Sequence, residues 1–182
     1  MKKIMFSDAF CLTKAVLNGS KTMTRRVLKE GTPLGNWEET AKCLPYKVGE
    51  VVAIAQNYKE VYPNADFEMV DGNFMTESAG WTNKMFVRAD LMPRHIEFTD
   101  VKAERLQDIS DEDCLREGIR YYHSSDKRWS NNSGYGYHIP KNGLHLFDTP
   151  YEAFANLFER ISGKGTWESN PFVVAYSFEL VD

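Results

Sequence analysis

From Ile96 to Leu106 the side chains alternate between two faces, with Ile96, Phe98, Asp100 and Lys102 set against Glu97, Thr99, Val101 and Ala103. That period of two predicts one long strand, and it runs directly into a helix start. Ser110-Asp-Glu-Asp113 has the spacing of a capping box, in which the Ser110 hydroxyl and the Asp113 carboxylate each satisfy a free amide of the first turn. The helix so opened ends at Gly118, which leaves the acidic Glu117 at the negative end of the helix dipole, where a nearby cation would offset its cost.

Comparable signals punctuate the rest of the chain. Residues 8–18 read as a short helix with Ser7 as N-cap and Gly19 in the left-handed position past its end. Thr22 to Leu28 reads as extended, and Val51 to Ala55 as a strand after the Val48-Gly49-Glu50 turn. Segments 67–70 and 84–89 are expected to pair as a hairpin across 71–83. Thr149-Pro150-Tyr151-Glu152 is a second capping box with proline at the first helical position. Tyr151, Phe154, Ala155, Phe158 and Ile161 continue it as an amphipathic helix, and Phe172 to Leu180 closes the chain as a strand after Asn170-Pro171. Residues 119–148 show no period and are expected to form a long irregular insertion, with Tyr121, Tyr122, Trp129, Tyr135 and Tyr137 either stacking on a base or packing the loop down. Strands outnumber helices and do not alternate with them, so the class is α+β with a small curved sheet or barrel. No glycine-rich phosphate loop follows any strand.

Length and composition narrow the function. A chain of 182 residues with 42% apolar and 26% charged residues is one domain with a real core. No apolar run spans a bilayer and no signal peptide opens the chain, so a cytoplasmic location is expected. Three scattered cysteines (Cys11, Cys43, Cys114) make neither a zinc site nor a disulfide framework, and His95, His123, His138 and His145 lack metal-ligand spacing. No metal and no cofactor is therefore expected. The net charge is −4, yet the first 30 residues alone carry +5. A local positive pole on an acidic protein suits a small anion or one nucleotide, not a broad nucleic-acid track.

That pole centres on Gly19-Ser-Lys21-Thr-Met-Thr24-Arg-Arg26. A lysine close to Arg25 and Arg26 would have its ammonium form disfavoured and become a usable base, and a threonine within its reach would be a nucleophile. Composition alone favours a solvated cationic patch beside ordinary strand threonines.

This motif, with Tyr46-Lys-Val-Gly49-Glu-Val-Val, the stretch Ile96 to Gly118, and the closing helix followed by Asn170-Pro171-Phe-Val-Val-Ala-Tyr-Ser-Phe-Glu179, resembles the ASCH domain, the ASC-1-homology branch of the PUA-like fold. The full-length layout is similar to phage- and prophage-associated bacterial ASCH-like proteins. The resemblance implies a single domain built on a PUA-like β-barrel and a cleft that binds RNA or a modified nucleoside. It further implies, by likeness to the bacterial N4-acetylcytidine amidohydrolases, hydrolysis of an N4-acylated cytidine amide. In that comparison Thr24 falls on the nucleophile, Lys21 on its activator and Glu117 on the group that orients Lys21. Arg25 and Arg26 would bind ligand, as would Gln56 and Tyr58, which stand where relatives carry a charged pair and a tryptophan. The contrasting expectation is a non-catalytic RNA-reading or protein-interaction module of phage or mobile-element origin.

Overall fold

The fold is that of a computed structural model describing residues 1–123, 133–140 and 142–182. In chain order it contains β1 (Lys3–Ile4), α1 (Leu12–Leu17), β2 (Met23–Val27), α2 (Trp37–Cys43), β3 (Val51–Ile54), α3 (Tyr58–Val61), β4 (Met69–Val70) and β5 (Asn73–Phe74). After these come β6 (His95–Arg105), α4 (Asp111–Arg116), β7 (Arg120–Tyr122), β8 (Gly134–Ile139), β9 (Gly143–Phe147), α5 (Pro150–Ser162), α6 (Thr166–Ser169) and β10 (Phe172–Leu180). The class is α+β, and among the described residues no helix is long and apolar enough to cross a membrane.

The frame is a five-stranded sheet in the order β1-β3-β6-β10-β2. The long alternating segment supplies its centre: β6 lies antiparallel to β3 on one side and to β10 on the other. Among the described residues no strand pairing closes β1 onto β2, so the sheet is open there and the closure expected of a barrel is not observed. The main core lies against this sheet, where Ile4, Val52, Ile96, Phe98, Val174, Tyr176 and Phe178 pack with α5 residues Phe154, Leu157 and Phe158.

Several local expectations change on folding. The first helix is broken: a 3₁₀ turn over Asp8–Phe10 is followed by Cys11 in the left-handed region, and Ser7 makes no side-chain cap. The pairing of 67–70 with 84–89 does not form. Instead β4 pairs with β5 across Asp71-Gly72, both at positive φ, because this local two-residue turn closes a far shorter loop. Segment 119–148 is not irregular where it is described: β7, β8 and β9 form an antiparallel three-stranded sheet. Gly134 and Gly136 there permit close strand approach and hide the period-two pattern. Tyr137 is buried against Phe10, His145 and Phe147, whereas Trp129 lies outside the described residues. The buried face of α5 is Ala153, Phe154, Leu157 and Phe158, rotated from the expected stripe, and Ile161 is exposed.

Thr149 caps α5 as expected, accepting from the Glu152 amide at 3.1 Å. Thr149→Ala should therefore lower stability by about 1 kcal/mol in urea unfolding. Gly136→Ala should lower it more, because the added methyl would collide with the His145 carbonyl.

Candidate functional site

Lys21 is set by the end of α1. Gly19 takes φ +75°, and the amides of Ser20 and Lys21 both donate to the Ala15 carbonyl at 2.9 Å. The Thr22 amide then donates to the Arg116 carbonyl at 2.9 Å, which ties the entry of β2 to the end of α4. This join, between residues 94 apart in sequence, brings Glu117 against Lys21. The Lys21 ammonium donates to Glu117 Oε2 at 2.6 Å, to the Glu117 carbonyl at 2.7 Å and to the Met23 carbonyl at 2.7 Å. All three of its protons are thus placed, and the side chain is only 2% exposed. Burial pushes the Lys21 amine below its ordinary 10.5. Glu117 pulls the other way, while Arg25 and Arg26 add to the lowering. The neighbouring cations invoked from sequence therefore contribute, but desolvation leads.

Arg25 is the second buried cation; it borders the same cavity as Lys21, but its guanidinium is taken up by carboxylates. On β10, Ala175 lies between Arg25 of β2 and Lys102 of β6, and its small side chain leaves room for the guanidinium to cross the sheet. Arg25 donates from Nε to Glu104 at 3.0 Å, from Nη2 to Asp113 at 2.7 Å and from Nη1 to Glu117 at 3.2 Å. Asp113 accordingly does not reach back to the Ser110 amide as a capping-box acid would. Ser110 still caps α4, accepting from the Asp113 amide at 3.1 Å, but the carboxylate turns to Arg25 and Lys102. Burial works against the Asp113 charge, yet hydrogen bonding and attraction from Arg25, with help from Lys102, hold its carboxyl below the ordinary 3.8. No local sequence pattern marks Glu104 or Asp113 as partners of Arg25; Lys102 and Glu104 share one face of β6, which is the one local sign of an ion cluster there.

A cavity of about 420 Å³ opens over this cluster. Lys21, Thr24 and Glu117 form its polar end, and Phe6, Leu12, Phe154, Leu157 and Phe158 line its apolar wall. Thr24 is buried on the cavity, but its hydroxyl makes no hydrogen bond to Lys21 or Glu117. Arg26 lines the cavity further out and donates from Nη2 to the Met5 carbonyl at 2.9 Å. The structure does not bring Gln56 or Tyr58 here. Gln56 lines a separate cleft with Asp8, Lys14 and Glu60. Tyr58 is buried in a second apolar cluster, where its hydroxyl accepts from the Arg88 amide at 2.8 Å. Strand β3 ends before both residues, so the chain carries them away from β2. None of the four histidines lines the cavity. Among the described residues no group of three or more His, Cys, Asp and Glu is arranged to hold a metal ion.

No family model matches the chain, and no curated protein matches it. Two solved structures are similar to it. One is an ASCH domain from Lactobacillus crispatus JV V101, 14% identical over 98% of this chain and 78% of that one, with a TM-score of 0.41. The other is a protein of Enterococcus faecalis V583 from the DUF984 family, 16% identical over 100% of this chain and 80% of that one, with a TM-score of 0.45. Both superpositions are loose.

Removing Arg25 would leave three carboxylates gathered without their shared cation. Arg25→Met should lose about 3–5 kcal/mol in urea unfolding. The two shifted groups also set the sign of the pH dependence. Asp113 stabilises the native state above 3.8 and loses that contribution as pH falls through its lowered folded value. Lys21 binds its proton more weakly when folded, so wild-type stability should rise with pH between its lowered folded value and 10.5.

Proposed function

We propose that the protein is ASCH-like and that the Lys21 cavity takes a modified nucleoside, whose N4-acyl amide it hydrolyses. One observation carries the reading. A fully buried lysine with a lowered pKa, held by Glu117, stands at the polar end of a ligand-sized cavity that Thr24 also lines. The likeness of Gly19 to Arg26 to the amidohydrolase motif supports the same residues.

The chemistry follows from the proton inventory. As an ammonium, Lys21 has no lone pair and cannot act as a base; its three protons go to the Met23 carbonyl, the Glu117 carbonyl and Glu117 Oε2. Passing one proton along the 2.6 Å bond to Glu117 gives a neutral amine without exposing either group. That amine accepts the Thr24 hydroxyl proton as the oxygen attacks the acyl carbonyl. Collapse of the tetrahedral intermediate breaks the C–N bond, and the base leaves as its free amine after receiving the proton. Water then cleaves the acyl-threonine ester, with Lys21 again moving the proton. Thr24 makes no hydrogen bond to Lys21, so the reaction requires the two to come within reach as substrate binds.

Purified protein should release cytidine from N4-acetylcytidine, and Thr24→Ala and Lys21→Met should each lower kcat by at least about 100-fold while circular dichroism shows a folded chain. The rate should rise with pH through the lowered Lys21 value. In Glu117→Gln that rising limb should move to lower pH, because the carboxylate that raises the lysine pKa is gone. Absence of turnover by folded wild-type protein would refute the hydrolase reading.

A further inference from the structure

Three cations come from one short stretch of sequence, and their fates in the fold differ. Lys21 is neutralised by Glu117. Arg25 is neutralised by Glu104, Asp113 and Glu117. Arg26 meets only the Met5 carbonyl, which satisfies one N–H and cancels no charge. Among the described residues it has no carboxylate partner, and its other N–H groups have no protein acceptor. It is half-buried on the wall of the Lys21 cavity, so its charge is partly stripped of water and not repaid. Two hydroxyls share that wall: Ser162, and Ser7, whose side chain caps no helix.

We propose that Arg26 is an anion subsite, and that the ligand of the cavity is a nucleoside 5′-monophosphate in preference to the free nucleoside. The proposal rests on the nucleoside reading above and adds the phosphate. A guanidinium with an open fork pairs with phosphate oxygens bidentately, and serine hydroxyls can donate to the remaining oxygen. Alternation along β2 puts Thr24 and Arg26 on one face of the strand, two residues and about 7 Å apart. A ligand lying along that face has its phosphate at the Arg26 end and its base toward Thr24 and Lys21. A single uncompensated cation serves one phosphate. A longer RNA strand would need several, because its affinity scales with the phosphates neutralised.

Calorimetric titration with cytidine, cytidine 5′-monophosphate, cytidine 3′-monophosphate and inorganic phosphate tests this without relying on turnover. The 5′-monophosphate should bind roughly 10- to 100-fold more tightly than cytidine, the range of a charge-assisted hydrogen-bonded pair, and more tightly than the 3′ isomer. In Arg26→Gln that preference should disappear while cytidine affinity stays within a few fold. Arg26→Lys, which keeps the charge but loses the fork, should retain part of it. Equal binding of cytidine and its 5′-monophosphate by the wild type would overturn the phosphate subsite and leave the nucleoside reading standing. A 5′ preference that survives in Arg26→Gln would also overturn it, by placing the phosphate elsewhere. Binding of inorganic phosphate alone, with neither nucleotide nor nucleoside bound, would refute both.

Discussion

The ion cluster of Lys21, Arg25, Glu104, Asp113 and Glu117 holds the other parts of the site in place. Each of these charges costs several kcal/mol to bury, and that cost is offset only if every hydrogen-bonding position is met. Here the ammonium of Lys21 is met by the Glu117 carboxylate and two backbone carbonyls, and the guanidinium of Arg25 by three carboxylates and the Met23 sulfur. The cluster therefore works as a geometric lock. Shifting β2 by one residue would turn Arg25 from the carboxylate side of the sheet to the other face and take from three acids the cation they share. The register of β2 on β10 is specified as much by this charge arrangement as by apolar packing.

The lock explains why neighbouring arginines behave differently. Strand alternation sends Arg25 into the cluster and Arg26 to the opposite face, toward Met5. It also explains the pairing of a buried lysine with an acid at a helix C-terminus. At the end of α4 the dipole disfavours Glu117, and burial disfavours the charged Lys21. Placed together, each relieves the other, and both retain an orientation toward the cavity. Burial of that pair, beside the apolar wall from α5, is the leading cause of the lowered lysine pKa.

Much of this was readable locally. The Ser110 and Thr149 caps, the strand ending at Leu180, the strand after Val48-Gly49-Glu50 and the long strand before Ser110 all depend on interactions within a few residues, and the structure contains them. What escaped were features that depend on distant partners. From the sequence the carboxylate of Asp113 reads as a capping group because nothing near it in sequence offers a stronger donor. Arg25, 88 residues away, does so in the fold. Likeness to other chains puts Gln56 and Tyr58 in the cleft, but after β3 the chain takes Tyr58 into a second core cluster and Gln56 to a separate cleft. Strands β7 to β9 were hidden by glycines whose role, close backbone approach, is visible only with the facing strand present.

By itself the sequence determined the caps, the alternation of β6 and β10, the α+β class, and the cationic motif that marks the site. These follow from short-range sterics and hydrogen bonding, which one stretch of chain settles alone. Only the tertiary structure decided that the sheet stays open, that Lys21 is buried on Glu117, that Arg25 is consumed by three acids, and that Arg26 is left facing the cavity without one. Burial and charge compensation are properties of residues brought together from far apart, and no local pattern carries them.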